Sequence, residues 1–138
     1  MRYVVDANIV RSGLIADSMT RRLLVELEDD LLTPAYVHDE IENDIDLVVE
    51  KSELTPAAVE DLIEILFTRI EVVPRTAVLD SLQEAARIMR DIDPDDALYL
   101  ATALECNGQI WSDDRDYEEQ ALVPVVTTGD IVERFDRR

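Results

Sequence analysis

The sequence predicts a single α/β domain over residues 1–138, with a central, mainly parallel sheet covered by helices on both sides. Short apolar runs alternate with helical segments along the whole chain, and this alternation is typical of parallel sheets. The length of 138 residues suits one domain, and 47% of the residues are hydrophobic, which is enough for a packed core. No repeat or Gly/Ser-rich linker divides the chain.

In the first half of the chain, two strands alternate with three helices. Residues 3–5 and 31–33 are short apolar runs without amphipathic spacing, which favours strands buried on both faces. Ser18 is expected to cap a helix that continues through residue 27. Pro34 is expected to begin a helix over residues 34–49, because a proline at the first helical position loses no hydrogen bond. Thr55 and Pro56 predict a third helix, through residue 67.

The second half continues the alternation. Residues 70–73 predict a strand, and a helix follows over residues 78–89. Pro94 is expected to begin the most apolar helix of the chain, which Gly108 ends. The remaining elements are predicted as a strand over residues 109–112, a loop or short helix over 113–120, a strand over 123–127 and a last helix over 129–135.

The charge of the chain is strongly acidic, with 32 acidic and 13 basic residues and a formal net charge of -19. Such a surface is expected to repel nucleic acid and to destabilise the compact state at low salt. Among the basic residues only Lys51 is a lysine; the other 12 are arginines. This composition resembles proteins of halophilic archaea, in which concentrated ions screen the repulsion.

Composition also disfavours several classes of protein. Only three glycines occur, so no glycine-rich phosphate-binding loop is available. The single cysteine, Cys106, cannot form an internal disulfide and is expected to be a small core residue. The chain has no apolar run of the ~20 residues that cross a membrane and no signal-peptide pattern, so the cytoplasm is the expected location.

Carboxylates follow two of the predicted strands directly. Asp6 ends the first strand, and the fourth is followed by Asp113, Asp114 and Asp116. The carboxyl edge of an open α/β sheet is where ligands bind, so these groups are candidate ligands there. Asp114 is preferred to Asp116, and Asp113 comes last. The alternative for Asp6 is that it caps the turn after the strand.

Two further acids flank helices that are expected to be buried. Asp96 directly precedes the most apolar helix, although acids there also cap a helix and favour its dipole. Glu40 flanks the apolar stripe of the helix after the second strand. Clustered carboxylates are the ligands that Mg²⁺ and Mn²⁺ prefer. A chain with one histidine and one cysteine is a poor candidate for zinc, and His38 is expected to be a surface or partly packed residue.

Four segments of the chain resemble the four motifs of PIN domains, in the same order and at the expected element junctions. They are Val4-Val5-Asp6-Ala7-Asn8-Ile9-Val10, Thr33-Pro34 through Glu40-Ile41, Asp93-Pro94-Asp95-Asp96-Ala97 through Ala103-Leu104, and Trp111-Ser112-Asp113-Asp114-Arg115-Asp116-Tyr117. The resemblance covers essentially the whole chain. It implies a PIN-like three-layer α/β/α sandwich. It also implies an Mg²⁺- or Mn²⁺-dependent endoribonuclease, a class that includes the VapC-type toxins of toxin–antitoxin pairs.

The resemblance also implies roles for individual residues. The catalytic and metal-binding acids would be Asp6, Glu40, Asp96 and Asp114. The auxiliary residues would be Asn8, Asp93, Ser112 and Asp116, with Asn8 and Ser112 orienting the acids. One or two bound ions would bridge the acidic chain to RNA. The candidate phosphate contacts are Arg11, Arg21, Arg22 and Arg115, and a plain surface role is the alternative for each.

Partners follow from the same resemblance. A homodimer is expected, with the apolar residues of the helix over residues 59–67 as a candidate surface, unless they serve the core. An antitoxin protein is the expected partner if the chain is a toxin, but an RNA-processing role stays open.

Two other classes of protein are alternatives to a nuclease. A catalytically silent PIN-like scaffold would bind RNA or protein without cleaving. A phosphoryl-transfer domain of the receiver or haloacid-dehalogenase type also places an Asp after its first strand. That domain usually needs a lysine late in the chain, whereas Lys51 lies mid-chain.

Overall fold

A five-stranded, all-parallel sheet forms the centre of the molecule. The computed structural model describes residues 1–16 and 18–137. The strands are β1 (Arg2–Val5), β2 (Asp30–Pro34), β3 (Ile70–Val73), β4 (Gln109–Trp111) and β5 (Val125–Val126). Their order is β3-β2-β1-β4-β5, so the chain moves outward from β1 in two directions. The switch point between these directions lies between β1 and β4, where open α/β sheets bind ligands.

Helices cover the sheet, and the predicted three-layer α/β/α sandwich is confirmed. The described α-helices are α1 (Ala7–Ile15), α2 (Met19–Glu26), α3 (Val37–Asn43), α4 (Ile45–Ser52), α5 (Pro56–Arg69), α6 (Leu79–Met89), α7 (Ala97–Cys106) and α8 (Thr128–Asp136). Helix α7 contacts β1, β2 and β4 and packs against α6, whereas α1 contacts the helices α2 to α5. None of the described helices is both long enough and apolar enough to cross a membrane.

The core lies between the sheet and these helices, and the central strand is its most buried part. Tyr3, Val4 and Val5 of β1 are fully buried, as expected for a strand that is covered on both faces. Trp111 of β4 is also fully buried, and its ring meets Tyr3 edge-on at 6.4 Å between centroids. The position of this core fixes the ends of β1 and β4, from which the acidic residues project.

Helix α1 was not predicted, because its residues are poor helix formers. Ile9 and Val10 are β-branched, and Gly13 adds backbone entropy to the unfolded chain. Packing supplies the stability instead, since Ile9, Val10, Gly13 and Leu14 are all buried. A Cβ atom at Gly13 would lie 2.7 Å from Leu24 Cδ1. The glycine therefore allows α1 and α2 to approach closely.

The prediction of one helix over residues 34–49 was wrong in two respects. Pro34 is the last residue of β2, in register with Val73, and the next amide, of Ala35, donates to the carbonyl of Val73. A proline is tolerated there because the strand ends at that position. The helical part is divided into α3 and α4 at Asp44, whose backbone is not helical (φ -108°, ψ 11°).

Smaller differences concern the ends of elements. Short 3₁₀ turns, Arg75–Val78 and Pro94–Asp96, precede α6 and α7, so Pro94 begins a 3₁₀ turn rather than an α-helix. Asn107 ends α7 in the left-handed conformation (φ 54°), a role the sequence had suggested for Gly108. The last strand is limited to β5, and the segment predicted as a loop or short helix contains the 3₁₀ helix Arg115–Glu119.

Three other predictions can be located in the fold. Val59 and Leu66 of α5 are buried in the core, so they do not form a dimer surface, whereas Ile65 is half exposed. Cys106 is partly buried against the core. His38 is exposed, with its ring 4.8 Å from that of Phe67, as expected for a surface histidine.

Candidate metal centre

Asp6 directly follows β1, beside the end of the neighbouring strand β4. Its amide donates to the carbonyl of Trp111 (3.1 Å), which holds the two strand ends together. Its carboxylate is only 4% exposed and accepts a hydrogen bond from the Ser112 hydroxyl (2.9 Å). Although Asp6 occupies the N-cap of α1, its side chain makes no capping hydrogen bond. The carboxylate is therefore directed to the site rather than to the helix end.

The pKa of Asp6 is raised from 3.8 to about 6. Burial is the largest cause, and the Ser112 hydrogen bond opposes it. The charges of Glu40 and Asp114 raise the pKa further. Two other predicted ligands, from α3 and from the segment after β4, thus lie close enough for their charges to act on Asp6.

Asp96, the fourth predicted ligand, lies at the start of α7. Burial is again the largest cause that raises its pKa, to about 7, and the neighbouring Tyr117 hydroxyl offsets part of this rise. The charges of Asp93, Asp6 and Asp114 add to it. The Oδ2 atom of Asp96 is buried and makes no hydrogen bond within residues 1–16 and 18–137. A buried carboxylate oxygen without a donor is costly unless a cation satisfies it.

Asp93 and Asp116 approach Asp96 closely. One carboxylate oxygen of each of these three residues lies within 4.8 Å of the others, and all three side chains are partly buried. The sequence had placed Asp93 and Asp116 among the auxiliary residues. The structure groups them with Asp96 as oxygen donors that could share one ion.

The three acids of the segment after β4, Asp113, Asp114 and Asp116, form different hydrogen bonds. The Ser112 hydroxyl accepts from the amide of Asp114 (3.0 Å) while it donates to Asp6, so one side chain orients two of the predicted ligands. Asp114 Oδ1 accepts from the amide of Asp116 (3.0 Å). Asp113 instead accepts from both the amide and the hydroxyl of Thr128, each at 2.8 Å. Asp113 therefore fixes the start of α8.

Glu40 is held by two neighbours. The Tyr99 hydroxyl donates to Glu40 Oε1 at 2.6 Å, and an Arg11 nitrogen lies 3.8 Å from Oε2. Arg11 also pairs with Asp44 (2.9 Å) and donates to Oδ1 of Asn8 (2.6 Å). Asn8 is exposed, so it acts on the acids through Arg11 rather than by direct contact.

Tyr99 is a site residue that sequence reasoning missed. It is fully buried on α7, and burial together with the Glu40 charge raises its pKa far above the usual value, so the hydroxyl remains a donor. Its position three residues after Asp96 was the available signal, because residues i and i+3 share a helix face. The same helix thus supplies a carboxylate and the hydrogen-bond donor of a second carboxylate.

Replacing Tyr99 with phenylalanine is expected to lower the free energy of unfolding by about 1 kcal/mol, because Glu40 loses a charge-assisted donor. Urea denaturation of Tyr99→Phe, Glu40→Gln and the double variant measures the coupling between the two side chains. Additive effects in this cycle would show that the hydrogen bond contributes nothing.

The arginines proposed as phosphate contacts have different surroundings. Arg21 donates to the carbonyls of Gly13 and Leu14 at the end of α1. Arg22 pairs with Glu26 at 2.6 Å. Arg11 is engaged at Glu40, as described above. Arg115 is exposed, and the described part of the chain shows no hydrogen bond or ion pair to its guanidinium.

The donor set fits a hard divalent cation. The converging side chains are carboxylates, and Mg²⁺ and Mn²⁺ favour oxygen ligands. The unpartnered Oδ2 of Asp96 is an acceptor that such an ion would satisfy. Clustered carboxylates cannot all ionise without a cation, and the raised pKa values of Asp6 and Asp96 express this repulsion together with burial.

Comparisons with known proteins give one family and one fold. A family model described as "PIN domain" matches residues 4–129. No curated protein matches the chain in sequence. VapBC2 from Rickettsia felis, solved bound to a DNA fragment from its promoter, is similar in structure, with a TM-score of 0.70, 16% identity and coverage of 92% of this chain and 98% of that chain. VapBC-1 from nontypeable Haemophilus influenzae is similar with a TM-score of 0.68 and 16% identity, and the match covers 94% of this chain and 99% of that chain. PAE2754 from Pyrobaculum aerophilum is similar with a TM-score of 0.72 and 15% identity, and the match covers 100% of this chain and 91% of that chain.

Proposed function

Because the chain belongs to the PIN domain family, we propose that it is an endoribonuclease that depends on Mg²⁺ or Mn²⁺ and acts as a single domain over residues 1–138. The observation that carries this proposal is the cluster of Asp93, Asp96 and Asp116, whose carboxylate oxygens lie within 4.8 Å of one another. The charges of the predicted ligands Asp6 and Asp114 raise the pKa of Asp96, and the charge of Glu40 raises that of Asp6, which supports a common acidic site. The position of Asp6 at the carboxyl end of β1, beside the switch point between β1 and β4, also supports the proposal, because open α/β sheets bind ligands there.

The acids have distinct parts in this proposal. Asp6 and Asp96 are direct ligands, and Asp114 is a second or water-mediated ligand. Glu40 is a ligand or the base that orients the attacking water, and Tyr99 and Arg11 hold it in place. Asp93 and Asp116 are added as donors beside Asp96, on the basis of their distances. A bound Mg²⁺ or Mn²⁺ would supply an activated water and would stabilise the charge on the scissile phosphate.

Asp96→Asn tests the proposal. We expect RNA cleavage in the presence of Mn²⁺ to fall by at least about 100-fold, because a direct ligand is lost. Calorimetric titration should show weaker Mn²⁺ binding by this variant. Asp91→Asn is the matched control, since Asp91 is exposed, precedes the same turn and, among the described residues, forms an ion pair with Arg90 alone (3.9 Å).

Three results would contradict the proposal. They are cleavage by Asp96→Asn at the wild-type rate, cleavage by the wild type in EDTA, and no cleavage of any RNA with Mg²⁺ or Mn²⁺. If the wild type also bound no metal, the catalytically silent scaffold would be the better description.

We also propose a toxin role, with an antitoxin protein as partner, a homodimer as the assembly and the cytoplasm as the location. The similarity of fold to VapBC proteins supports this proposal. A small antitoxin gene beside the coding sequence would support a toxin. Absence of growth arrest on expression, with cleavage confirmed in high salt, would favour RNA processing instead.

We further propose that the protein works in concentrated salt, as in a halophilic archaeon. The net charge of -19 destabilises the folded state by self-repulsion unless ions screen it. Thermal unfolding in dilute buffer and in molar KCl measures this effect. We expect the melting temperature to rise with KCl, and an unchanged melting temperature would count against adaptation to salt.

A further inference from the structure

A small cavity lies between the turn before α3, the 3₁₀ turn before α6 and the start of α7. Its volume is about 220 Å³, below the roughly 300 Å³ at which pockets for drug-sized ligands begin. We call it the base cavity, and its lining residues are Pro34, Ala35, Tyr36, Asp39, Arg75 and Leu98. It suits a single flat ring system rather than a larger ligand.

Two lining residues of the base cavity lie next to site residues in the chain, because Asp39 directly precedes Glu40 and Leu98 follows Asp96 by two positions. Tyr36 lies on the turn that leads into α3, the helix that carries Glu40. Burial, followed by the charges of Glu40, Asp95, Asp39 and Asp96, raises the pKa of Tyr36. The tyrosine is therefore close enough to both Glu40 and Asp96 for their charges to act on it.

Arg75 brings a cation without a partner to this cavity. It is exposed at the start of the 3₁₀ turn before α6. Among residues 1–16 and 18–137, no hydrogen bond or ion pair engages its guanidinium, whereas Arg2, Arg11, Arg22 and Arg137 all pair with acids. In a chain of net charge -19, an arginine that lines this cavity without such a partner is available to a ligand.

The lining offers the groups that recognise a base in single-stranded RNA. Bases in such strands stack on aromatic rings or guanidinium planes and form hydrogen bonds along their edges. Tyr36 supplies a ring, Arg75 a guanidinium, and Asp39 a carboxylate that can accept from an exocyclic amino group. A second cavity of about 530 Å³ shares Tyr36, Arg75 and Leu98 with the first and gives room for the adjoining nucleotide.

We propose that the base cavity binds one nucleobase of the RNA strand that is cut at the metal centre, with Tyr36 and Arg75 as its stacking residues and Asp39 at its edge. This inference rests on the proposed ribonuclease activity and adds a determinant of sequence preference to it. Uracil, which lacks an exocyclic amino group, should bind least well.

Cleavage kinetics of Tyr36→Leu and Arg75→Gln test the proposal. We expect each variant to raise KM about tenfold, within the range known for base stacking, with kcat and Mn²⁺ affinity unchanged. Arg87→Gln is the matched control, because Arg87 is also exposed on the α6 side and lies outside the base cavity. It should leave KM within about twofold of the wild type, as expected for an exposed charge that lines neither of the two cavities.

A binding experiment separates this inference from the activity on which it rests. Amide spectra of the wild type with Mg²⁺ are recorded during titration with AMP, CMP, UMP and ribose 5-phosphate. The three nucleotides should shift the signals of Tyr36 and Arg75, with UMP the weakest, whereas ribose 5-phosphate should not. Equal shifts with ribose 5-phosphate would overturn the proposal, since they would reveal a phosphate contact only.

Two further outcomes distinguish the proposals. In the first, the wild type cleaves RNA, nucleotides do not shift the amide signals, and both variants keep the wild-type KM. This result overturns the proposal of nucleobase binding and leaves the ribonuclease proposal intact, and a protein partner would then be the better occupant of the cavity. In the second, nucleotides shift the amide signals but the protein cleaves no RNA. This result supports nucleobase binding in the base cavity and overturns the proposed ribonuclease activity.

Discussion

Replacing Asp6 with asparagine is expected to abolish metal-dependent RNA cleavage and, at the same time, to stabilise the metal-free protein. Asparagine has nearly the same shape and can still accept the hydrogen bond from Ser112. It removes a charge that is buried beside those of Glu40 and Asp114. We expect activity to fall by at least about 100-fold, because the most buried ligand of the proposed metal centre is lost.

The gain in stability should depend on pH in a defined way. The pKa of Asp6 in the folded state, about 6, lies above its ordinary value of 3.8, so the folded state binds the proton more tightly. The stability that this group contributes is complete below about pH 4 and is lost as the pH rises through about 6. In the absence of divalent ions, Asp6→Asn should therefore exceed the wild type by about 1–3 kcal/mol at pH 8 and differ little at pH 4.

Denaturation at both pH values, with EDTA and then with Mn²⁺, measures this prediction. With Mn²⁺ the wild type should become the more stable of the two proteins, because only the wild type gains the full free energy of metal binding. Asp46→Asn, an exposed acid on α4, is the control and should change stability by a few tenths of a kcal/mol at most. A wild type that is more stable than Asp6→Asn at pH 8 in EDTA would refute the interpretation.

Truncating Trp111 to alanine should have the largest effect on stability. The side chain is fully buried on β4, meets Tyr3 edge-on, and donates from Nε1 to the Thr128 hydroxyl at 3.0 Å. Large-to-small changes of aromatic residues in a core cost about 3–5 kcal/mol. Such a loss is a large part of the stability of an ordinary domain.

The consequence extends to the site, because Trp111 directly precedes Ser112 and its carbonyl accepts from the amide of Asp6. Urea denaturation followed by circular dichroism is the suitable measurement, since Trp111 is the only tryptophan. Trp111→Phe keeps most of the buried area and is the graded control, with an expected loss of about 1–2 kcal/mol. A loss below about 1 kcal/mol for Trp111→Ala would contradict the role given to this side chain.

The fold could be predicted from sequence because its signal is local. Tyr3-Val4-Val5 and Ile70–Val73 are short apolar runs, and segments with helical spacing separate such runs along the chain. This alternation alone predicts a parallel sheet with helices on both faces. It also places Asp6 and Ser112 at the same edge of the sheet, because parallel strands end together.

Helix α1 shows where local signal was insufficient. Ile9, Val10 and Gly13 have low helix propensity, so the helix depends on the packing of its buried residues against α2 and the other helices it contacts. Pro34 shows the opposite case, in which a residue suited to a helix start instead ends β2 because the β2–β3 register requires it there. Intrinsic propensity is a weak guide to secondary structure wherever tertiary contacts favour a different conformation.

For this protein the sequence by itself determined the class of fold, the family motifs and the acids at the ends of β1 and β4, since each depends on neighbours within a few residues. Only the tertiary structure decided how those acids are held and grouped. Tyr99 donates to Glu40 across 59 positions, and Ser112 to Asp6 across 106. Asp93 and Asp116 meet at Asp96, whereas Asp113 is held by Thr128. Contacts between residues so distant in the chain leave no periodic pattern in the sequence, because they arise only when the packing of the sheet and helices brings the elements together.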